Sequence, residues 1–224
     1  IGNALQTGPD AIYGARHVAL KSGLPIESGA VTVNRLCGSG VEAVAQAARL
    51  IGAGDATWVL AGGMENMSQA AHVARGLRGG PVRFGSDLQL VDTLFEALRD
   101  PMCGLFMAQT SDALAKKYGI TRAAQDEFAL RSHREGVRAL QSGLFKDEIV
   151  AVPVKKGTVE VDDHLKPDTS IEKLSALKPA FGADGTVTAG NASGIVDGAA
   201  CLVVTTESRA KDAGAAPLGR LVSY

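Results

Sequence analysis

Aromatic residues make up only 4% of this 224-residue chain, and neither sign of charge is in excess, since the formal net charge is -1. A chain without a basic excess lacks the electrostatic signature of nucleic-acid binding and of attachment to anionic membranes. No apolar run approaches the ~20 residues that are needed to span a bilayer. The composition therefore predicts no nucleic-acid partner and no membrane span.

Cysteine is also rare, with three residues and no C-x-x-C spacing among them. An odd number without that spacing argues against a disulfide framework and against a structural zinc site, so we expect no metal. Free thiols favour a reducing compartment. Glycine, in contrast, is abundant, and its 27 residues are typical of an α/β protein with tight turns.

One of the three cysteines, Cys37, lies where two sequence patterns meet. The β-branched residues of the stretch 30–35 predict a buried strand, and the alanine-rich stretch 40–51 predicts a helix. At such a strand-to-helix turn, free backbone N–H groups and the positive end of the helix favour a thiolate. Gly38 and Gly40 carry no Cβ, so an acyl group could approach the sulfur closely. The pattern indicates a site of nucleophilic attack.

Two other interpretations of the same stretch stay open at this point. Free cysteine is among the most buried residue types, and most such residues are structural. The run from Gly38 to Ala43 also fits G-x-G-x-x-A after a strand, the weak form of the dinucleotide fingerprint, with Glu65 as the acidic residue. Against the second interpretation, no further nucleotide-type unit follows.

The remainder of the chain predicts a layered α/β fold. A helix over 9–23 precedes the stretch 30–35, and a short strand over 57–61 follows the helix over 40–51. This strand–helix–strand order predicts a parallel pair with a right-handed crossover. The residues 62–68 predict a glycine-led loop, and the glycines and Pro81 of 76–85 predict irregular chain.

Two helices are predicted in the middle of the chain, over 104–118 and over 121–143, and the second begins at Thr121 as its N-cap. Phe128 and Leu130 are predicted to form its buried stripe. The later elements are an edge strand over 149–154, a strand over 186–189, a buried strand over 202–204, a helix over 207–214 and a strand from 218 to 222.

Four motifs carry a resemblance to a known family. They are Val33–Gly40 (VNRLCGSG), Ala61–Ser68 (AGGMENMS), Phe145–Ile149 (FKDEI) and Gly185–Gly194 (GTVTAGNASG). In this order and spacing the sequence resembles the thiolases, enzymes that use coenzyme A to cleave or form 3-ketoacyl-CoA thioesters. The resemblance covers essentially all 224 residues. It implies a layered α-β-α core with a mixed sheet, interrupted by an α+β insertion called the loop domain.

The resemblance also implies a domain organisation and a setting. Residues 1–68 would form part of the N-terminal core, residues 69–196 the loop domain for coenzyme A binding and oligomer contacts, and residues 197–224 the return to the core. A homo-oligomer, dimer or tetramer, is expected. The runs at Asp10–Tyr13 and Gly85–Leu88 are more similar to degradative enzymes of β-oxidation and fatty acid metabolism. The location would be the bacterial cytoplasm or the mitochondrial matrix.

For the site, the resemblance implies that Cys37 is the nucleophile and carries an acyl-thioester intermediate. Acetyl-CoA and acyl-CoA would be substrates, with no cofactor bound covalently. Phe106 stands where biosynthetic members have a histidine beside the pantetheine. The residues implied in coenzyme A binding are Leu98, Met107, Lys166, Phe181, Ala189, Gly190 and Ser193.

Three catalytic motifs of the family have no match in this chain. They are a histidine in G-H-P, a second cysteine in C-x-G and an asparagine at the oxyanion site, and in the family all three lie in a second half of the protein. The family's first strand and helix would precede Ile1. The resemblance therefore implies a truncated chain that is inactive alone. The alternative from another functional class is a non-catalytic acyl-CoA-binding or scaffold protein of thiolase fold.

Overall fold

The computed structural model describes residues 1–80 and 83–224, so Pro81, predicted to lie in irregular chain, is outside the described residues. Short 3-10 turns occur at Ala11–Tyr13 and Met67–Gln69. The helices are α1 Gly14–Lys21, α2 Ser39–Ala53, α3 Thr93–Ala97, α4 Met107–Tyr118, α5 Arg122–Gln141, α6 Ile171–Ser175 and α7 Glu207–Asp212. The strands are β1 Trp58–Glu65, β2 His72–Ala74, β3 Leu90–Asp92, β4 Val152–Val154, β5 Gly157–Val159 and β6 Gly198–Thr205.

The chain forms two compact units. The first contains Ile1–Ala97 and Ile195–Tyr224, and the second contains Leu98–Gly194. Both units combine helices and strands, as expected for an α/β fold. The predicted loop domain over 69–196 begins before the second unit does, because β2, β3 and α3 belong to the first unit. Its role in binding and oligomer contacts remains a prediction.

The first unit is organised around the antiparallel pair of β1 and β6. Their register runs from Trp58 opposite Thr205 to Glu65 opposite Gly198. Gly62 lies opposite Cys201, and a Cβ on Gly62 would lie 2.0 Å from the carbonyl oxygen of Ala200. A glycine is therefore required at this position of the strand pair.

The first three residues of the chain extend this sheet on its other side. The Gly2 N–H donates to the Gly62 carbonyl oxygen at 2.7 Å, and the Asn3 N–H donates to the Val33 carbonyl oxygen at 3.0 Å. Gly2 forms parallel bridges to both Val33 and Gly63. The sheet is thus mixed, and the backbone at Val33 runs parallel to β1, as predicted. The two are not neighbours, because residues 1–3 lie between them.

Two of the predicted boundaries at this sheet are wrong. The predicted buried strand over 30–35 is reduced to isolated bridges, and Val31 is 56% exposed. The predicted loop over 62–68 is strand as far as Glu65, because Gly62 and Gly63 pair with β6. Glycine usually indicates a turn or a loop, but here Gly62 and Gly63 permit close strand pairing.

Helix α2 covers the sheet of the first unit with small side chains. Ala43 and Ala47 of α2 are buried together with Ala61 of β1, and Val33, Val44, Val59 and Val204 pack around them. The helix ends as predicted, with Gly54 in the left-handed conformation at φ 82° and its N–H donating to the carbonyl oxygens of Leu50 and Ile51.

In the second unit, α5 begins at the predicted N-cap. The Thr121 hydroxyl oxygen accepts a hydrogen bond from the Ala124 N–H at 3.2 Å. Leu130 is buried as predicted, but Phe128 is 64% exposed, so the prediction for Phe128 is wrong. The edge strand containing Pro153 is present as β4, which pairs with β5 in a hairpin.

Three other predicted strands differ from the structure. Leu202 and Val203 lie in β6 but are exposed, so this strand is not buried. Residues 186–189 form no strand beyond a bridge between Thr188 and Pro179, because side chains rather than a neighbouring strand bind this backbone. Residues 218–222 form none, and no partner strand lies beside them in the parts of the chain described here.

Within residues 1–80 and 83–224, none of the helices combines the length and the apolar character that a membrane crossing requires.

The two glycines Gly62 and Gly52 provide a matched test of this packing. Gly62→Ala should destabilise the protein by about 2 kcal/mol, because the new methyl group overlaps the β6 backbone. Gly52→Ala in α2 should stabilise it by about 0.5–1 kcal/mol, because a Cβ there meets nothing within 4 Å. Thermal denaturation of the full-length protein measures both changes. Equal effects of the two substitutions would contradict the close β1–β6 contact.

Candidate active site

Cys37 lies in the turn that leads into α2, directly before the N-cap Gly38. Its side chain is exposed, and it is a free thiol, as are Cys103 and Cys201. The structural interpretation of Cys37 as a buried core residue is therefore wrong. The thiol is accessible directly before the first turn of a 15-residue helix.

Hydrogen bonds from two side chains hold the turn around Cys37. The Asn34 Oδ1 atom accepts from the Leu36 N–H at 2.9 Å, and the Asn34 Nδ2 atom donates to the Ala4 carbonyl oxygen at 3.0 Å. The Ser39 hydroxyl accepts from the Arg35 N–H at 2.8 Å and donates to the Leu36 carbonyl oxygen. Leu36, between these contacts, has a left-handed backbone with φ 49°.

A charged cluster on α2 lies beside the same turn. The Glu42 carboxylate forms ion pairs with Arg35 at 2.8 Å and with Arg49 at 3.0 Å. The hydrogen bond from Arg35, followed by those from Gln46 and Arg49, lowers the pKa of Glu42 from its ordinary value. The carboxylate therefore stays ionised and links the residue at position 35 to the first turn of the helix.

Glu65, the acidic residue of the dinucleotide interpretation, is engaged elsewhere. Its carboxylate accepts hydrogen bonds from the N–H groups of Ala4 and Leu5, the second at 3.3 Å. The Asn3 Nδ2 atom donates to the same carboxylate at 3.3 Å. Glu65 thus fixes the start of the chain against the end of β1, and the dinucleotide interpretation loses its acidic partner for a ribose.

In the second unit, Asn191 organises the loop that contains Ala189, Gly190 and Ser193. The Asn191 Oδ1 atom accepts from the Thr188 N–H at 2.7 Å. The Asn191 Nδ2 atom donates to the Thr186 carbonyl oxygen and to Asp126 Oδ1, both at 3.0 Å. One amide side chain therefore crosslinks the loop to itself and to α5.

Two carboxylates, Asp126 and Asp112, complete the hydrogen-bond network that holds this loop. Asp126 is 1% exposed and pairs with Arg122 at 2.8 Å, so its buried charge is compensated. Asp112 of α4 accepts from the Thr186 N–H at 2.7 Å, from the Thr186 hydroxyl at 2.9 Å and from the Val187 N–H at 3.1 Å. Such charge-assisted bonds hold a loop without a neighbouring strand.

Close packing of neighbouring leucine side chains requires a glycine at position 190. A Cβ at this position would lie 2.5 Å from Leu174 Cδ2 and 2.6 Å from Leu177 Cδ1. A run of small residues such as 189–194 is explained either by close approach of a ligand or by a tight packing corner, and the structure shows a packing corner at Gly190. Ala189 and Ser193 beside it are exposed and accessible to a ligand.

The other residues implied in coenzyme A binding fall into two groups in the second unit. The Met107 N–H donates to the Leu98 carbonyl oxygen at 2.9 Å, and both side chains are exposed. Next to Met107, the Phe106 ring stacks on the Phe181 ring with centroids 5.0 Å apart. These four side chains form an apolar and aromatic group, and its role in coenzyme A binding remains a prediction.

Lys166 is apart from that group, in a shallow cleft of about 150 Å³. Its N–H donates to His133 Nδ1 at 3.3 Å. The cleft is lined by His133, Arg134, Val137, Arg138, Gln141, Lys166, Pro167 and Thr169.

Cys37 belongs to the first unit, and all seven implied coenzyme A residues belong to the second. Across the described ranges 1–80 and 83–224, no cluster of His, Cys, Asp or Glu is suited to hold a metal ion.

Sequence reasoning missed Asp112, Arg122 and Asp126 as residues that support the loop. The i, i+4 spacing of Arg122 and Asp126 is a signal that could have identified their ion pair. No comparable signal exists for Asp112, which is separated from Thr186 by 74 positions.

Comparison with known proteins gives a consistent result. The family described as Thiolase, N-terminal domain matches residues 1–208. The chain is 44% identical over its whole length to human mitochondrial 3-ketoacyl-CoA thiolase and 45% identical to the beta-ketothiolase BktB of Cupriavidus necator. It spans 57% of the length of each of these relatives, so it corresponds to part of a thiolase.

Solved structures support the same relationship. The human mitochondrial 3-ketoacyl-CoA thiolase in complex with CoA superposes with a TM-score of 0.92 at 45% identity, covering 97% of this chain and 55% of that one. The acetyl-CoA acetyltransferase of Bacillus anthracis superposes with a TM-score of 0.89 at 40% identity, covering 97% and 56%. The match of the family to most of the chain, together with these similarities, shows that the chain belongs to the thiolase family.

Proposed function

We propose that the full-length protein is a thiolase that transfers acyl groups between acyl-CoA and acetyl-CoA through a thioester on Cys37. The observation that carries this proposal is an exposed thiol at the start of a long helix, in a chain of the thiolase family. Thiolysis of 3-ketoacyl-CoA and the reverse condensation use the same intermediate.

The first half-reaction follows from the chemistry of a thiolate. The Cys37 sulfur attacks the thioester carbonyl carbon of an acyl-CoA, and a new S–C bond forms. The bond between that carbon and the coenzyme A sulfur then breaks, and coenzyme A leaves with the electron pair and takes up a proton. The acyl group is held on Cys37 until a second acceptor removes it, which splits one difficult transfer into two steps.

Coenzyme A binding is proposed for the second unit. Leu98, Met107 and Phe181 would contact the pantetheine arm, and the exposed residues Ala189 and Ser193 would supply its polar contacts. Lys166 would meet phosphate as a point charge. Gly190 would contribute through its backbone, and its missing side chain also permits the packing on Leu174 and Leu177.

The remaining chemistry would come from residues beyond this chain. A base for Cys37 and a proton donor for the second step have no match among the family motifs present here. The alternative function, acyl-CoA binding without catalysis, uses the same surface without the thioester. The human relative is a mitochondrial protein by name, and BktB comes from a bacterium, so the proposed location is the mitochondrial matrix or the bacterial cytoplasm. The homo-oligomeric assembly is proposed from the family resemblance alone.

Isotope exchange between acetyl-CoA and labelled coenzyme A tests the half-reaction directly. We expect the full-length protein to catalyse this exchange without a second acyl substrate, because an acyl-enzyme intermediate makes the first step reversible. Cys37→Ser should reduce the exchange rate by at least about 10³-fold, since a serine hydroxyl is far less ionised near neutral pH than a thiol and is a much weaker nucleophile.

Cys103→Ser is the matched control, because Cys103 is also an exposed free thiol. It should leave the exchange rate unchanged. Exchange that survives in Cys37→Ser would contradict the covalent mechanism. Binding of coenzyme A without any exchange would favour the non-catalytic alternative.

The network below the 186–193 loop gives a second test. Asn191→Ala should weaken coenzyme A binding by roughly tenfold, because the loop loses three hydrogen bonds that together hold its shape. Isothermal titration with coenzyme A measures the affinity, and Asp212→Asn on the exposed end of α7 is a control with no expected effect. An unchanged affinity of Asn191→Ala would show that the loop does not contact coenzyme A.

A further inference from the structure

Leu36 has a backbone conformation that its side chain does not favour. Its φ of 49° lies in the left-handed region, and it is the one residue other than glycine with a positive φ among the described residues. The Leu36 side chain is 68% exposed, so its own packing does little to stabilise the left-handed conformation. Surrounding contacts must therefore maintain this conformation.

Both peptide groups of Leu36 are bound by neighbouring side chains. Its N–H donates to Asn34 Oδ1 at 2.9 Å, and its carbonyl oxygen accepts from the Ser39 hydroxyl and from the Ser39 N–H at 3.0 Å. Ser39 is 3% exposed and also accepts from the Arg35 N–H, so one buried hydroxyl bridges the two residues before Cys37.

We propose that Ser39 and Asn34 are positioning residues, which hold Leu36 in the left-handed conformation and thereby direct the Cys37 thiol away from the helix for attack. This inference rests on the proposed role of Cys37. Neither residue reacts with the substrate. Relaxation of Leu36 to a right-handed or extended backbone would rotate the following peptide and move Cys37 relative to the first turn of α2.

Substitutions of Leu36 distinguish a positioning role of Ser39 and Asn34 from a purely structural one, because they change the backbone preference at position 36. Asparagine adopts the left-handed conformation more readily than leucine, whereas a β-branched valine resists it. Because the Leu36 side chain is exposed, both substitutions change the backbone preference with little change in packing. Leu36→Asn should therefore reduce the dependence of Cys37 on the Ser39 hydroxyl.

The test measures acetyl-CoA exchange and the pH dependence of Cys37 alkylation by iodoacetamide, both in the full-length protein with peptide mapping. Ser39→Ala should lower kcat for exchange roughly tenfold and slow alkylation at every pH, while KM for acetyl-CoA changes by less than about twofold. The double variant Leu36→Asn/Ser39→Ala should recover most of the lost rate. Ser142→Ala, which removes a hydroxyl bonded to the Ala139 carbonyl oxygen of α5, is the control and should match the wild type.

Wild-type rates in Ser39→Ala, or a double variant no faster than Ser39→Ala, would overturn the proposal. Should Ser39→Ala fail to fold, the comparison of Leu36→Val with Leu36→Asn replaces it. The valine variant should then react several times more slowly, and equal rates would overturn the proposal. If the wild type shows no acetyl exchange, the proposed function fails. The alkylation rates of the variants still test the positioning role in that case.

Discussion

The pairing of residues 1–3 with two other segments is the interaction on which the first unit depends. Gly2 bonds to β1 through the Gly62 carbonyl oxygen and the Met64 N–H, while Asn3 bonds to Val33 on the opposite side. This pairing fixes the backbone that enters the Cys37 turn. The Asn34 side chain extends the same contact through the Ala4 carbonyl oxygen, so the turn is built on the sheet edge.

A second constraint operates in the other unit, where side chains replace strand pairing. Asp112 and Asn191 bind the backbone of the 186–193 loop. The buried Asp126 accepts a hydrogen bond from the Asn191 amide, and its charge is compensated by Arg122. A loop held in this way keeps one shape without a neighbouring strand. The Cys37 turn thus combines backbone pairing with side-chain hydrogen bonds from Asn34 and Ser39, whereas the 186–193 loop depends mainly on hydrogen bonds from Asp112 and Asn191.

The sequence predicted the helices more reliably than the strands. Helix α2 and helix α5 were expected because alanine periodicity, a threonine N-cap and a terminal glycine are local signals. The strand around Val33 and the extension of β1 through Gly62 and Gly63 depend on partners distant in sequence, so local patterns assigned them wrongly. Cys37 was placed correctly before α2, but the contacts of Asp112 could not be foreseen over 74 positions.

The most direct measurement of the central claim is peptide mapping by mass spectrometry after the full-length protein is mixed with acetyl-CoA and quenched in acid. We expect one acetyl group on the peptide that contains Cys37 and none on the peptides that contain Cys103 or Cys201. An acetyl group on another cysteine, or no adduct on a protein that binds acetyl-CoA, would contradict it.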